Sequence, residues 1–163
     1  FLRYNCGRMN TLARSALVAI VSLLGLGSVM VIEPQSAFDQ AVKLATDNNH
    51  REAANAFKAI LERKDVNGHL LAKTLEHAVE SLSNLNEPDE AEQVIEAAAK
   101  THAGQWLVLE QAAQSLMEVD HDGRWLNNQF VRGGDSGLYR DATERDRVRS
   151  LQLLLAARKA MPA

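Results

Sequence analysis

The chain is poor in residues that would announce a specific chemistry. Its one cysteine, Cys6, lies near the beginning, so the remainder can build neither an intrachain disulfide framework nor a thiolate metal site. It has three prolines, Pro34, Pro88 and Pro162, each where an element boundary is expected. Aromatic residues make up 5% of the 163 residues while apolar types reach 46%. That balance argues against disorder and, with abundant alanine, favours closely packed helices. No His-Glu-x-x-His, Gly-x-Ser-x-Gly, phosphate-loop or dinucleotide fingerprint occurs. No catalytic residue, cofactor site or metal site is therefore expected, and the chain reads as non-enzymatic.

Partial chemical signals weigh little. His69 and His77 are eight apart, but no third ligand has suitable spacing. Glu118, Asp120, Asp122 and Gly123 echo a calcium loop, yet Gln129 stands where a bidentate glutamate would close it. Gly133, Gly134 and Gly137 follow no confident strand, so a phosphate cradle is not expected. A metal-dependent enzyme on the Asp120–Asp122 loop is the least supported of three function classes; calcium and zinc titration would test it.

Charge is distributed unevenly. Residues 1–32 hold three arginines and no acid; residues 33–122 hold seven basic and seventeen acidic residues, a balance of −10; residues 123–163 hold eight and four, a balance of +4. The acidic body repels nucleic acid and anionic lipid. The basic end is interleaved with acids, so no nucleic-acid partner is expected.

The first residue is Phe1, and Met9 is the better start, which makes residues 1–8 an upstream extension. Residues 9–34 read as a signal peptide or signal-anchor: a basic region with Arg14, then the uncharged run Ala16–Ile32, ending at Glu33-Pro34. Seventeen residues is long for a signal core, and a span needs about 20. Gly25 and Gly27, or Ser36 and Ala37, offer weak cleavage sites, and no cysteine follows for a lipoprotein box. The expected location is periplasmic or extracellular, with inner-membrane anchoring through residues 16–32 if they are retained.

Residues 35–119 carry the repeating pattern. Ala53, Phe57 and Ile60 sit at i, i+4 and i+7, on one helical face, and Ala91, Ile95 and Ala98 repeat that register 38 residues later. Leu44 and Leu82 lie nine residues before Ala53 and Ala91, and Leu116 follows Leu82 by 34. Helices are expected over 36–48, 50–64, 69–85, 88–101 and 104–118. Ser36 is a candidate N-cap, and turns are expected at Asn48-Asn49 and Asn86–Asp89. Asn67-Gly68 reads as a helix stop, and Leu71, Leu75, Ala78, Val79 and Leu82 share a face. So narrow an apolar stripe needs neighbours, as in a stack of antiparallel hairpins.

This pattern resembles the tetratricopeptide family over about residues 37–116. Ala37 and Leu75 stand where that family favours tryptophan, and its closing proline is missing after Lys64 and Thr101. The resemblance implies an all-α, tetratricopeptide-like stack after the apolar segment, with a concave groove that binds a protein or peptide. Lys43 and Lys73 are the candidate groove residues. The repeat core is expected at Leu44, Ala53, Phe57, Ile60, Leu82, Ala91, Ile95, Ala98 and Leu116. An unrelated helix bundle would show the same periodicity.

Residues 120–142 break the periodicity and read as a Gly-rich loop, with Trp125, Phe130 and Val131 pinning it as an ordered loop or short hairpin. Residues 143–163 read as a C-terminal helix, with Thr143 as N-cap, Val148, Leu151, Leu154 and Leu155 on its apolar face, and Glu144, Arg145, Asp146, Arg147 and Arg149 on its wet side. Gly123, Phe130, Arg132 and Gly133, followed by Arg145-Asp146-Arg147-Val148-Arg149 and Leu151-Gln152-Leu153, resemble a stretch of large exported bacterial alpha-2-macroglobulin-like proteins. There it lies between N-terminal helical repeats and the macroglobulin domains. The resemblance implies a truncated N-terminal fragment of a cell-envelope protein whose repeats dock partners or downstream domains of the same chain. No Cys-x-x-Gln motif follows the apolar run, so no thioester role carries over. The alternative is a membrane-anchored tetratricopeptide assembly factor of an envelope complex.

Overall fold

A computed structural model describes residues 33–133 and 137–162. The expectations for residues 1–8 and for the apolar run at 16–32 lie outside the described residues. The helices are α1 (Pro34–Thr46), α2 (His50–Leu61), α3 (Gly68–Asn84), α4 (Pro88–Thr101), α5 (Trp106–Glu118) and α6 (Thr143–Ala160). Between α5 and α6 lie β1 (Asp122–Leu126), β2 (Gln129–Arg132) and β3 (Leu138–Asp141). The described residues are therefore mostly helical but not all-α. None of their helices is long and apolar enough to cross a membrane.

The first two helix pairs turn on the same device. After α1, Asn48 adopts φ 60°, its N–H reaches the Ala45 carbonyl, and the N–H of Asn49 reaches that of Leu44. After α3, Asn86 adopts φ 56°, its N–H reaches the Ser83 carbonyl, and the N–H of Glu87 reaches that of Leu82. Both are Schellman closures with asparagine in the left-handed position, which its short polar side chain tolerates. They recur at the 38-residue interval seen in the apolar register. Leu44 and Leu82 are the residues whose carbonyls each closure uses.

Other boundaries differ from expectation. Asn67 starts a helix rather than stopping one: its side chain accepts from the Leu70 N–H at 2.9 Å. The preceding helix stops at Leu61, short of Lys64. Pro34 opens α1, where a missing N–H costs nothing, so Ser36 lies inside the helix. Ahead of α6, the Asp141 carboxylate accepts from the Thr143 N–H at 2.7 Å, so Asp141 does the capping expected of Thr143.

The core runs through all six helices. Ala53, Phe57, Ile60, Leu82, Ala91, Ile95, Ala98 and Leu116 are buried. Leu44 is half-buried against them, on a helix that packs mainly on α2. Phe57 sits 5.8 Å from the Phe38 ring and stacks on His77 at 5.6 Å. His102 fastens the end of α4 to that of α2, its Nε2–H donating to the Leu61 carbonyl at 2.6 Å.

Within residues 120–142, expected to be a Gly-rich ordered loop or short hairpin, β1 and β2 do form a hairpin, and β3 extends it to a three-stranded sheet. The strand order is β2-β1-β3, all antiparallel. Leu126 pairs with Gln129, so Asn127 and Asn128 make a two-residue hairpin turn with φ of 50° and 63°. Positive φ at both positions is what a tight hairpin needs to follow strand twist, and asparagine supplies it. The calcium-loop echo falls with this: Glu118 ends α5, Asp122 lies in β1, and its carboxylate accepts from the Tyr139 hydroxyl at 2.8 Å.

The C-terminal helix turns its expected face outward. Val148, Leu151, Leu154 and Leu155 are exposed, while Asp146, Ser150, Leu153 and Ala157 are buried against α5. Small Ser150 and Ala157 let the two helices approach, and the Ser150 hydroxyl donates to the Ala113 carbonyl at 2.9 Å. Asp146 is inward because Arg132 needs it there.

Candidate interaction surface

The seam between sheet and helices is ionic, with a buried pair at its centre. Arg132, in β2, has a fully buried side chain and grips Asp146 of α6 with two hydrogen bonds, at 2.9 and 3.0 Å. A bidentate guanidinium–carboxylate pair fixes orientation as well as distance. Arg132 also donates to Glu92 of α4 at 2.9 Å and to the Asp120 carbonyl at 2.6 Å. His121 Nδ1 lies 2.7 Å from Asp146, and Arg145 bridges Asp146 and Glu92. Burial pushes the Asp146 carboxyl up, but Arg132 and His121 outweigh it and hold it below the usual range. Burial works against the Arg132 charge too; Asp146 and Glu92 outweigh it.

Packing completes the seam. In-register partners project from the same face, which groups Gly123 with Arg132 and Trp125 with Phe130. The Phe130 ring lies over Gly123, where any β-carbon would strike it. The Arg145 guanidinium stands 4.1 Å above the same ring. Thus the two halves of the second resemblance, Gly123/Phe130/Arg132 and Arg145/Asp146, meet in one cluster.

Ion pairs also link the second helix of each pair to the next. Arg51 and Lys58 of α2 reach Glu90 of α4 at 2.7 and 2.5 Å, and Arg51 also pairs with Glu87. The Lys58 hydrogen bond, with help from Arg51, holds the Glu90 carboxyl at about 2. On its other side α4 offers Glu92 and Glu96 to Arg145 and Arg149 of α6.

The candidate groove residues stay apart from this. Lys43 and Lys73 are exposed on α1 and α3, and neither takes part in these ion pairs. His69 is exposed and His77 belongs to the aromatic cluster; no group of three metal-binding side chains occurs among the described residues. A cleft of about 260 Å³ between α2 and α4 is lined by Leu61, Val94 and Ala98, with the paired Lys58 and Glu90 at its rim.

What is left open is apolar and confined. Among the described residues, the exposed large hydrophobic residues are Trp125, Leu126, Leu138, Tyr139, Val148, Leu151, Leu154, Leu155 and Met161, all on the sheet or on and just after α6. No such side chain is exposed on α1–α5. The exposed ones fall in one stretch of sequence, between Trp125 and Met161. Sequence periodicity locates α6 but points Val148, Leu151, Leu154 and Leu155 inward, and Leu138 and Tyr139 fall in the stretch read as a Gly-rich loop. Compared with known proteins, the chain matches no protein-family model, no curated protein and no solved structure.

Proposed function

We propose that this chain is a non-catalytic interaction scaffold of the cell envelope, built as a tetratricopeptide-like stack of three helix pairs. On this reading α1/α2, α3/α4 and α5/α6 are successive hairpins, and the sheet is an insertion inside the third. Support comes from the shared Asn48 and Asn86 closures. Glu92 and Glu96, one turn apart, also meet Arg145 and Arg149, one turn apart, which aligns α4 with α6. The run Ala16–Ile32 supports export, and the Gly123/Phe130/Arg132 and Arg145/Asp146 cluster supports the macroglobulin-like frame. A membrane-anchored assembly factor is the second reading, favoured by the same apolar run if it is not cleaved; mass spectrometry of the mature N-terminus separates the two.

The observation that carries the scaffold reading is that, among the described residues, exposed large apolar side chains are confined to positions beyond 124. The test is a photo-crosslinking amino acid placed at Leu138, Leu151, Lys43, Lys73 or Gln93 in the producing cell. Discrete protein adducts are expected from Leu138 or Leu151, from the groove lysines if the concave face is used as well, and none from Gln93. Adducts from none of the first four positions would overturn the reading.

A further inference from the structure

We infer that the outer stripe of α6 is a seat for one amphipathic helix with acidic flanks, contributed by a partner protein. The inference rests on the scaffold reading and names the partner's chemistry.

Val148, Leu151, Leu154 and Leu155 are 55%, 61%, 41% and 58% exposed. Their spacings of three, four and seven put them on one side of the helix, with Leu154 at its edge nearest buried Ser150, and with buried Leu153 on the opposite side. Such a row is the surface a second helix packs on, by laying its ridge of side chains along the groove between these. Both acids of α6 are committed: Asp146 is buried under Arg132, and Glu144 pairs with Arg147 at 2.8 Å. Arg158 and Lys159 are exposed beside the lower end of the stripe, while Arg147 at the upper end is balanced by Glu144. The rim is therefore net basic.

The molecule already uses this recipe twice. α2 presents Arg51 and Lys58, and α4 answers with Glu90 and its N-cap Glu87; α4 presents Glu92 and Glu96, and α6 answers with Arg145 and Arg149. Charge sign alternates from one second helix to the next, basic, acidic, basic. The helix that complements the outer side of α6 is acidic by the same rule. It would resemble α4, which sets Ala91, Val94, Ile95 and Ala98 among Asp89, Glu90, Glu92 and Glu96. A second copy of the chain is the poorer occupant, because it would bring two basic rims together.

The test uses the full chain and two labelled synthetic helices with the same leucine stripe, one flanked by glutamates and one by lysines, read by fluorescence anisotropy. The glutamate-flanked helix is expected to bind at least tenfold tighter, and the preference to shrink at high salt. Leu151→Ser with Leu155→Ser should weaken it more than tenfold without moving the melting temperature, since both positions are exposed. Arg147→Glu with Arg158→Glu should reverse the flank preference. Equal binding of both peptides, binding of neither, or a concentration-dependent dimer abolished by Leu151→Ser would each overturn the inference. An adduct from Leu151 in cells without peptide selectivity would remove the acidic helix and leave the scaffold reading standing.

Discussion

Removing Arg132 should cost more than removing any surface charge in this chain. Its side chain is fully buried, and Asp146 is 1% exposed. Breaking a buried pair from one side typically costs about 3–5 kcal/mol, because the survivor stays desolvated and uncompensated. For Arg132→Met the lower end applies, about 3 kcal/mol: Asp146 keeps His121 at 2.7 Å and Arg145 at 3.1 Å. Asp146→Leu leaves Arg132 with Glu92 and the Asp120 carbonyl, so its cost should be similar. The double variant strands neither of the two most buried charges and should lie within about 1 kcal/mol of the parent, since apolar replacement of a buried pair is often neutral. Urea unfolding measures this. A 3 kcal/mol loss moves the midpoint by about 1–3 M at typical slopes. Tryptophan emission reads Trp125 in the sheet as well as Trp106 in α5, and far-ultraviolet dichroism reads the helices. In the single variants the emission change should come first, as the sheet loosens before the helices melt. Two single variants each costing under about 1 kcal/mol, or a double variant showing the sum of both losses, would refute the account.

Phe57→Ala should cost about 3–5 kcal/mol as a core deletion beneath Phe38 and His77; a melting curve unchanged by it would contradict the α2 register. Asn128→Val should destabilise the hairpin by about 1–2 kcal/mol, since a β-branched residue resists φ of 63° there, with Asn128→Gly roughly neutral; amide exchange in β1 and β2 checks this. Glu90 is held at about 2, below its ordinary 4.5, so its stabilisation is complete above pH 4.5 and fades as pH falls toward 2. The melting-temperature gap between parent and Glu90→Gln should close over that window, and a gap independent of pH would sink the assignment.

Local chemistry was the legible part of this sequence. Pro88–Thr101 matches its helix end to end because proline, acids and a Lys100 terminus all point one way. Asn48 and Asn86 were readable as turns, although only the backbone reveals that they close in the same manner. The β1–β2 hairpin was half legible, since a short hairpin stood beside an ordered loop as the reading of this segment; β3 was not, because it is four residues long and follows the glycines. The α6 error has a different origin. Periodicity ranks faces by greasiness, but here a guanidinium from 14 residues upstream needed a carboxylate, and that need turned Asp146 inward and the leucines outward. The candidate contact surface follows from that turn, so single-helix patterning could not reveal it.

The strands between α5 and α6 also bear on the order in which the pieces assemble. Helices α1 through α4 are joined by short turns and can find one another within neighbouring stretches of chain. α6 cannot seat on α5 until the intervening strands have paired and delivered Arg132 to Asp146. Closing that longer excursion is entropically slower than zipping adjacent helices. The last helix should therefore dock late during folding, and a nascent chain would meanwhile expose Leu109, Ala113 and Leu116, the surface most in need of a chaperone.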